Sequence, residues 1–329
     1  MAKYSYIIPF YNVRPYTAAC LDSVLAQTYS DWECVCVDDG SPDGLGEILD
    51  EYAAKDSRIT VIHQANAGVG AARNAALEKI TGDWFMFVDG DDLTAPRTCE
   101  FCEAVLKSYP DVDMLMFNET KFPQDGECNW GYQGVSGIEM KCRDVHDVVD
   151  SWTYSTGFCT RVFRKSVFGK YRFPSLVRGQ DRFFLLDCVF NVNTIVQSNR
   201  PISGVRRRIG STTRSSITAK KLEATIESAR HMVNLVEASS RRVAPGLVRS
   251  QINRLVEMFI FEVQQLREKT ERNRVMALWV DAVREISKSQ ILSGFQSFRM
   301  KVIGRFPVRP LIYLLCLLPY RIKSMGVHR

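Results

Sequence analysis

The sequence has no internal repeat and no low-complexity run, which excludes solenoid, propeller and fibrous architectures. No GxxxxGK[ST] segment occurs, so the phosphate-cradling loop of P-loop enzymes is excluded. The segment "GVGAAR" (Gly68 to Arg73) places Arg73 where a dinucleotide fold needs its third glycine, and it follows the third apolar run instead of the first. Cys34 and Cys36 alternate along an apolar run, and Cys99 and Cys102 sit in a helical pattern. Neither pair has a second Cys/His pair at zinc-ribbon spacing, which argues against a structural zinc. "MAK" leads at once into "YSYIIPFYN", a start that predicts no signal peptide, so the ten cysteines are expected to be reduced thiols. The longest apolar stretch near the C-terminus, "PLIYLLCLLPYRIK", falls short of the roughly 20 apolar residues that span a bilayer.

Acidic residues are absent after Glu285, and this points to an asymmetry hidden in the formal net charge of +6. Residues 1–217 carry a slight acidic excess, whereas basic side chains outnumber acidic ones from Thr218 onward. One chain with two electrostatic characters implies two tasks. The 329 residues suffice for one large domain, or for a domain with a smaller appendage.

What is present first is alternation. "KYSYIIPF", "DWECVCVDD", "RITVIHQ" and "DWFMFVD" read as strands. Between them "RPYTAACLDSVLAQT", "DGLGEILDEYAAKD" and "AGVGAARNAALEKITG" read as helices. Pro15 fits a first turn, Ser41 or Asp43 an N-cap, and Gly82 a C-cap. Such alternation predicts an α/β fold with right-handed crossovers and a mostly parallel central sheet. After "VDMLMFNE", residues 119–160 read as an irregular excursion; strand and helix signals resume in "CTRVFRKSVF", "RGQDRFFLLDCVF" and "NTIVQS". From Thr218 to about Ser289 the pattern is helical, with a break at Ala244–Gly246.

Ligands of parallel sheets bind beyond the carboxyl ends of the strands. Polar clusters stand at all four of those ends: "PFYN", "DDGSPD", "QANAG" and "DGDD". In "FMFVDGDDLTAP" a buried strand runs into Asp89, Asp91 and Asp92, relieved only by Gly90. Crowded carboxylates raise one another's pKa unless a cation offsets them. A hard divalent ion shared with substrate phosphates is one answer, with Gly90 giving the backbone close approach to a ligand. A turn with acids capping the helix after Pro96 is the other. Asp38 and Asp39 pose the same choice between turn formers and acceptors for a nucleobase or ribose. Arg73, in a helix that starts at the same rim, balances these acids, contacts phosphate, or is one more surface arginine.

The segments "IIPFYN", "CLDSVLAQTYSDWECVCVDDGSPDG", "NAGVGAARNAAL" and "GDWFMFVDGDD" resemble the family 2 glycosyltransferases of the GT-A fold, and the resemblance returns at "RGQDRFF" and "RRRIGS". It implies inverting transfer of a sugar from a nucleotide-sugar donor, expected to be UDP-linked, to an acceptor hydroxyl. By that resemblance Pro9 and Tyr11 line the nucleoside pocket, Asp39 pairs with the base, and Arg73 lies beside it. Asp89 and Asp91 resemble the DxD pair, which touches ribose and a Mn2+- or Mg2+-bridged diphosphate. Asp181 resembles the catalytic base, and Arg206 an arginine that meets the diphosphate from a late loop. The sequence departs from the pattern at Gln180, where the family often has an acid, and at Val205, which replaces a common aromatic. It has no QxxRW motif and no train of transmembrane helices, which implies a non-processive enzyme. Trp130, Tyr132, Trp152 and Tyr154 are candidates for stacking on an acceptor sugar, or for ordinary packing under a loop.

In the tail, Ile291, Phe295, Phe298, Val302 and Phe306 recur at helical spacing, and the apolar stretch between Pro310 and Pro319 is flanked by Arg309, Arg321 and Lys323. This predicts a helix lying in an anionic membrane surface through residues 291–323, with packing on the protein or on a dimer partner as the alternative. No nucleic-acid motif accompanies the basic residues. The expectation is therefore a GT-A catalytic domain over 1–217, with a nucleotide-sugar half (1–118) and an acceptor half (119–217), and a basic helical extension over 218–329. The expected place is the cytoplasmic face of the cell membrane, with a glycan or lipid-linked glycan as acceptor. A non-catalytic nucleotide-sugar-binding or scaffold protein, and a sugar nucleotidyltransferase, are the alternatives.

Overall fold

Tyr4–Phe10 (β1) is buried at every position, which is what a strand needs when neighbours flank it and helices cover both faces. In the computed structural model, which describes residues 3–131, 138–143, 158–208, 216–238, 255 and 258–286, β1 lies between two parallel partners. Trp32–Asp38 (β2) pairs on one side, with Ile59–His63 (β3) beyond it, and Trp84–Phe87 (β4) pairs on the other. The connecting helices are Arg14–Leu25 (α1), Leu45–Lys55 (α2) and Val69–Leu77 (α3). Pro15 stands in the first turn of α1, as expected. Two terminus assignments differ from expectation. The N-cap of α2 is Gly44, whose φ of 76° suits a residue without Cβ, while Asp43 accepts from the Leu45 and Arg14 amides at 3.3 and 2.8 Å. Gly82 lies beyond the end of α3, capped by Glu78, and is small for another reason: a Cβ there would sit 2.5 Å from Ser5 Oγ.

Beyond β4 the sheet changes character. Leu93–Thr94 (β5) and the helix Thr98–Ser108 (α4) lead to Met114–Pro123 (β6), which runs farther than the sequence pattern indicates because its second half pairs with a late strand. Met140–Arg143 (β7), Arg161–Arg164 (β8) and Ile195–Arg207 (β9) complete a nine-stranded sheet in the order β3-β2-β1-β4-β8-β6-β9-β5, with β7 on β9. The four N-terminal strands are parallel, whereas β8 is antiparallel to β4 and β6, and β5 and β7 are antiparallel to β9. The one-turn helix Lys165–Phe168 (α5) follows β8, and Gln180–Asn191 (α6) precedes β9.

Side chains alternate across the strands. Tyr4, Tyr6, Ile8 and Phe10 join Cys20, Leu21 and Val24 of α1 and Leu45 and Leu49 of α2 in one core. On the opposite face Phe85, Phe87, Phe158, Phe163 and Phe173 form a nest of aromatic contacts. The chain divides into two compact units, residues 1–175 with 187–215, and residues 176–186 with 216–329. The first holds the sheet. The second contains the start of α6 together with the helices Ala219–Ala238 (α7) and Lys269–Ile286 (α8), and so carries the helical pattern expected after Thr218. The break at 244–246 and the segment 291–323 lie outside the described residues, and among those described no helix is long and apolar enough to cross a membrane.

Candidate active site

Because β1 to β4 are parallel, their carboxyl ends share one edge of the sheet. Backbone hydrogen bonds stitch the loops that leave it. The Asp39 amide donates to the Phe10 carbonyl at 3.0 Å, the Gln64 amide to Asp38 at 3.0 Å, and the Val88 amide to Ile7 at 3.0 Å. Four separated segments are therefore held side by side, as the polar strand ends predicted. Pro9 is buried within β1, and Tyr11, just past its end, is half exposed. Gly90 is required by the protein itself: a Cβ there would lie 2.5 Å from the Phe10 ring and 3.0 Å from the Pro9 carbonyl.

At the end of β2, Asp39 is only 2% exposed. Its carboxylate accepts from Gln64 Nε2 at 2.7 Å and from the amides of Ala67 and Gly68 at 2.9 and 2.8 Å. It thus orders the loop that enters α3. Asp38 accepts from the Ser41 amide at 2.9 Å and faces His63 Nδ1 at 3.3 Å. His63 Nε2 faces Asp50 at 3.0 Å. With a carboxylate at each ring nitrogen, the imidazole's pKa is raised, first by Asp50 and then by Asp38.

At the end of β4 the partners are arginines. Arg73, 6% exposed, donates from Nη2 to Asp89 at 2.8 Å. Its guanidinium lies 5.9, 5.0 and 5.4 Å from the ring centres of Phe87, Phe158 and Phe173, a cage that fixes its direction. Arg73 Nε, buried, has no hydrogen-bond partner among the described residues. Asp91 is paired with Arg208 Nε. Asp92 is buried and accepts from the Arg206 amide at 2.8 Å. Its pKa is pushed up to about 8, by burial first and then by the charges of Asp89 and Asp91. The three acids also form a turn, in which the Asp92 amide donates to the Asp89 carbonyl at 2.9 Å. They do not cap the next helix, which begins at Thr98 with Arg97 as its N-cap.

Arg206, expected at the diphosphate, donates from its side chain to the carbonyls of Asp91 (2.9 Å) and Gln124 (2.7 Å) and lies over Phe122 and Tyr16. Sequence reasoning missed Arg208. The signal was present in the run Arg206–Arg208: at strand spacing, residues two apart share a face. Both Arg206 and Arg208 lie over Tyr16, at 5.0 and 5.7 Å. Asp181 stands in the first turn of α6, where its Oδ1 accepts from the Arg182 amide at 2.8 Å, and it belongs to the second unit. Of the candidate stacking aromatics, Trp130 is part-buried with its ring edge beside Gly204; Tyr132, Trp152 and Tyr154 lie outside the described residues.

The chain matches known proteins over the region just described. It is 52% identical over 88 residues to "Uncharacterized glycosyltransferase EpsJ" of Bacillus subtilis, a match that covers 27% of this chain and 26% of that protein. To "Putative glycosyltransferase EpsH" of the same organism it is 28% identical over 219 residues, 63% of this chain and 61% of the relative. The matches thus span less than two thirds of these relatives' length. In fold it is similar to S. aureus TarS 1–349, solved in complex with UDP-GlcNAc, with a TM-score of 0.77 at 20% identity over 99% of this chain and 93% of that one. The sequence model described as "Glycosyl transferase family 2" matches residues 5–172, half of the chain and every strand of the parallel edge. The chain therefore belongs to glycosyl transferase family 2, built on the GT-A fold.

Proposed function

We propose that the chain is an inverting, non-processive hexosyltransferase that moves a sugar from a UDP-linked donor to an acceptor hydroxyl in surface or lipid-linked glycan assembly. The observation that carries this reading is the edge itself, where an acidic turn and two arginine side chains meet at the ends of parallel strands. UDP-GlcNAc is the first donor to try, because the TarS structure holds it. In this reading Pro9, Tyr11 and Asp39 bound the nucleoside, and Arg73 and Asp89 lie between it and the phosphates. Asp181 takes the proton from the acceptor hydroxyl. The acceptor oxygen then bonds to the anomeric carbon as the bond from that carbon to the diphosphate oxygen breaks, and the diphosphate leaves with the electron pair on the opposite face. Arg208, with Arg206 behind it, supports the charge that develops there.

The acidic turn suits a divalent cation. Among the described residues no three His, Cys, Asp or Glu side chains form a metal cage, but a cation shared with a diphosphate takes only one or two carboxylates. The raised pKa of Asp92 comes from its burial first, and then from the nearby charges of Asp89 and Asp91. Asp91 and Asp89 would hold Mn2+ or Mg2+, which when bound supplies electrostatic support for the leaving group. In this reading residues 1–217 are the catalytic domain and 218–329 the extension, with 291–323 resting on the inner membrane face.

The test is nucleoside diphosphate release from UDP-, GDP- and dTDP-sugars with Mn2+, with EDTA and with Asp181→Asn, using detergent-dispersed membrane extract as acceptor source. Release that needs the cation, the acceptor and Asp181 is the expected outcome. Nucleotide binding without release from any donor would instead identify a binding protein, and release that survives Asp181→Asn would remove the base from its role.

A further inference from the structure

The turn that carries Asp181 groups with the helical extension and not with the sheet unit. Three contacts show how it is held. Arg178, three residues before Asp181, forms a two-pronged ion pair with Glu262, Nη1 to Oε2 at 3.0 Å and Nη2 to Oε1 at 2.8 Å. Glu262 lies in the helical residues 258–263, 84 positions along the chain. Its side chain is 12% exposed and that of Arg178 28%, so the carboxylate is largely withdrawn from water while the guanidinium is only partly buried. Next, Gly179 turns the backbone with φ of 80°, and a Cβ there would come within 3.3 Å of Ser228 Oγ on α7. Finally the ring of Phe183, one residue past the first turn of α6, stacks on His231 of α7 with 4.3 Å between centres and 17° between planes.

From these contacts we infer that the helical extension is a working part of the catalytic apparatus: Arg178 and Glu262 are positioning residues that fix the base-bearing turn. This rests on the reading of Asp181 as base. The physical logic is one of rigidity. A guanidinium–carboxylate fork has one good geometry, whereas a single hydrogen bond swivels. The fork therefore fixes the direction from which the chain enters α6, and the Phe183–His231 stack fixes the rotation of the helix that follows. Asp181 stands between the two. Its own contact, from the Arg182 amide, is local and sets the carboxylate only relative to α6. The aim of the base is then decided by residues remote in sequence, and a base that drifts by about 1 Å loses on the order of 100-fold in rate.

The inference separates two properties that a merely structural role would move together. Nucleotide binding draws on the sheet unit and should be insensitive to the fork, while turnover should depend on it. The experiment compares full-length wild type with Glu262→Gln, Glu262→Ala, Asp181→Asn and the charge-exchanged double variant Arg178→Glu with Glu262→Arg. UDP affinity is read by calorimetry, kcat and KM on UDP-GlcNAc or the best donor of the panel above, and hydrogen–deuterium exchange over residues 176–186. Glu262→Ala is expected to lower kcat by about 10- to 100-fold with UDP affinity and donor KM within about twofold, and to speed exchange in that segment. Glu262→Gln, which keeps the shape but loses the charge, should fall between, and the exchanged pair should recover part of the loss. Unchanged turnover and exchange in Glu262→Ala overturn the inference. So does a parallel loss of UDP affinity, which marks general unfolding. If Asp181→Asn turns over normally, the base reading fails; exchange over 176–186 still judges the fork, because it needs no donor.

Discussion

The carboxylates that close β2 and those that follow β4 lie on the same edge of one sheet, yet they are balanced by different means. Asp39 is satisfied by an amide side chain and two backbone amides, and Asp38 by a backbone amide and a histidine. Asp89 and Asp91 are balanced by Arg73 and Arg208, while Asp92 is raised in pKa by its burial and then by their charges. Backbone donors cannot leave, so Asp39 is built into the loop that enters α3 and Asp38 into the turn at Ser41. The acids after β4 are instead held by side-chain ion pairs, Arg73 set in its cage of phenylalanine rings and Arg208 lying over Tyr16. Similar strings, "VDDG" and "VDGDD", are thus balanced by amide donors in one place and by arginine side chains in the other.

This contrast can be broken by substitution. The largest effect is expected at Asp91: Asp91→Asn should lower transfer by about 100- to 1000-fold while the melting temperature stays close to wild type. Normal turnover in a steady-state assay would put the β4 acids in the same class as those of β2. Asp39→Ala should act the other way. It removes the acceptor of three part-buried hydrogen bonds and should cost about 1.5 kcal/mol in urea unfolding, whatever it does to nucleotide binding. Loss of nucleotide affinity at full stability would show that the β2 acid, too, is a free ligand-binding group.

A smaller effect concerns Asp92. Its folded pKa, near 8, lies above the roughly 3.9 of an unfolded aspartate, so the folded state binds the proton more tightly. Stability from this group is fully present below about pH 4 and is lost as the pH rises toward 8. Asp92→Asn keeps an acceptor for the Arg206 amide and removes the charge. It should flatten the decline in melting temperature across that window, by a few degrees at pH 8. An unchanged slope would mean that Arg73 and Arg208 already balance the turn. The smallest effect is at His63, whose side chain is 48% exposed. Its pKa is raised, so its contribution is full below the ordinary value of about 6.5 and disappears as pH rises through the higher folded value. Solvent screening keeps that contribution below about 0.5 kcal/mol. Asp50→Asn should lower the His63 midpoint in an NMR titration, and a midpoint that stays put would exclude Asp50 as the main partner.

Much of this edge was legible in the chain. Tyr4–Phe10, Trp32–Asp38, Ile59–His63 and Trp84–Phe87 announce themselves by apolar runs that stop at polar clusters, and parallel crossovers then force those stops onto one rim. The cap assignments at Asp43 and Gly82 erred because a side chain that suits a cap, or a glycine that suits a helix end, is equally suited to a tertiary contact. Gly82 is small because of Ser5, a contact 77 positions away that no local pattern encodes. Arg208 was missed for a related reason, since an arginine in a basic run does not declare which carboxylate it will meet.

The sequence alone determined the alternation of strands and helices, the rim on which polar residues gather, and the family, because these depend on periodicity and on the order of motifs. Only the tertiary structure decided how each acid is balanced: that Arg73 sits in a cage of three phenylalanine rings against Asp89, that Arg208 and not Arg206 takes the Asp91 carboxylate, and that Arg178 reaches Glu262. Charge pairing acts over a few ångströms in space and is indifferent to separation along the chain, so it is settled when the elements pack and not before.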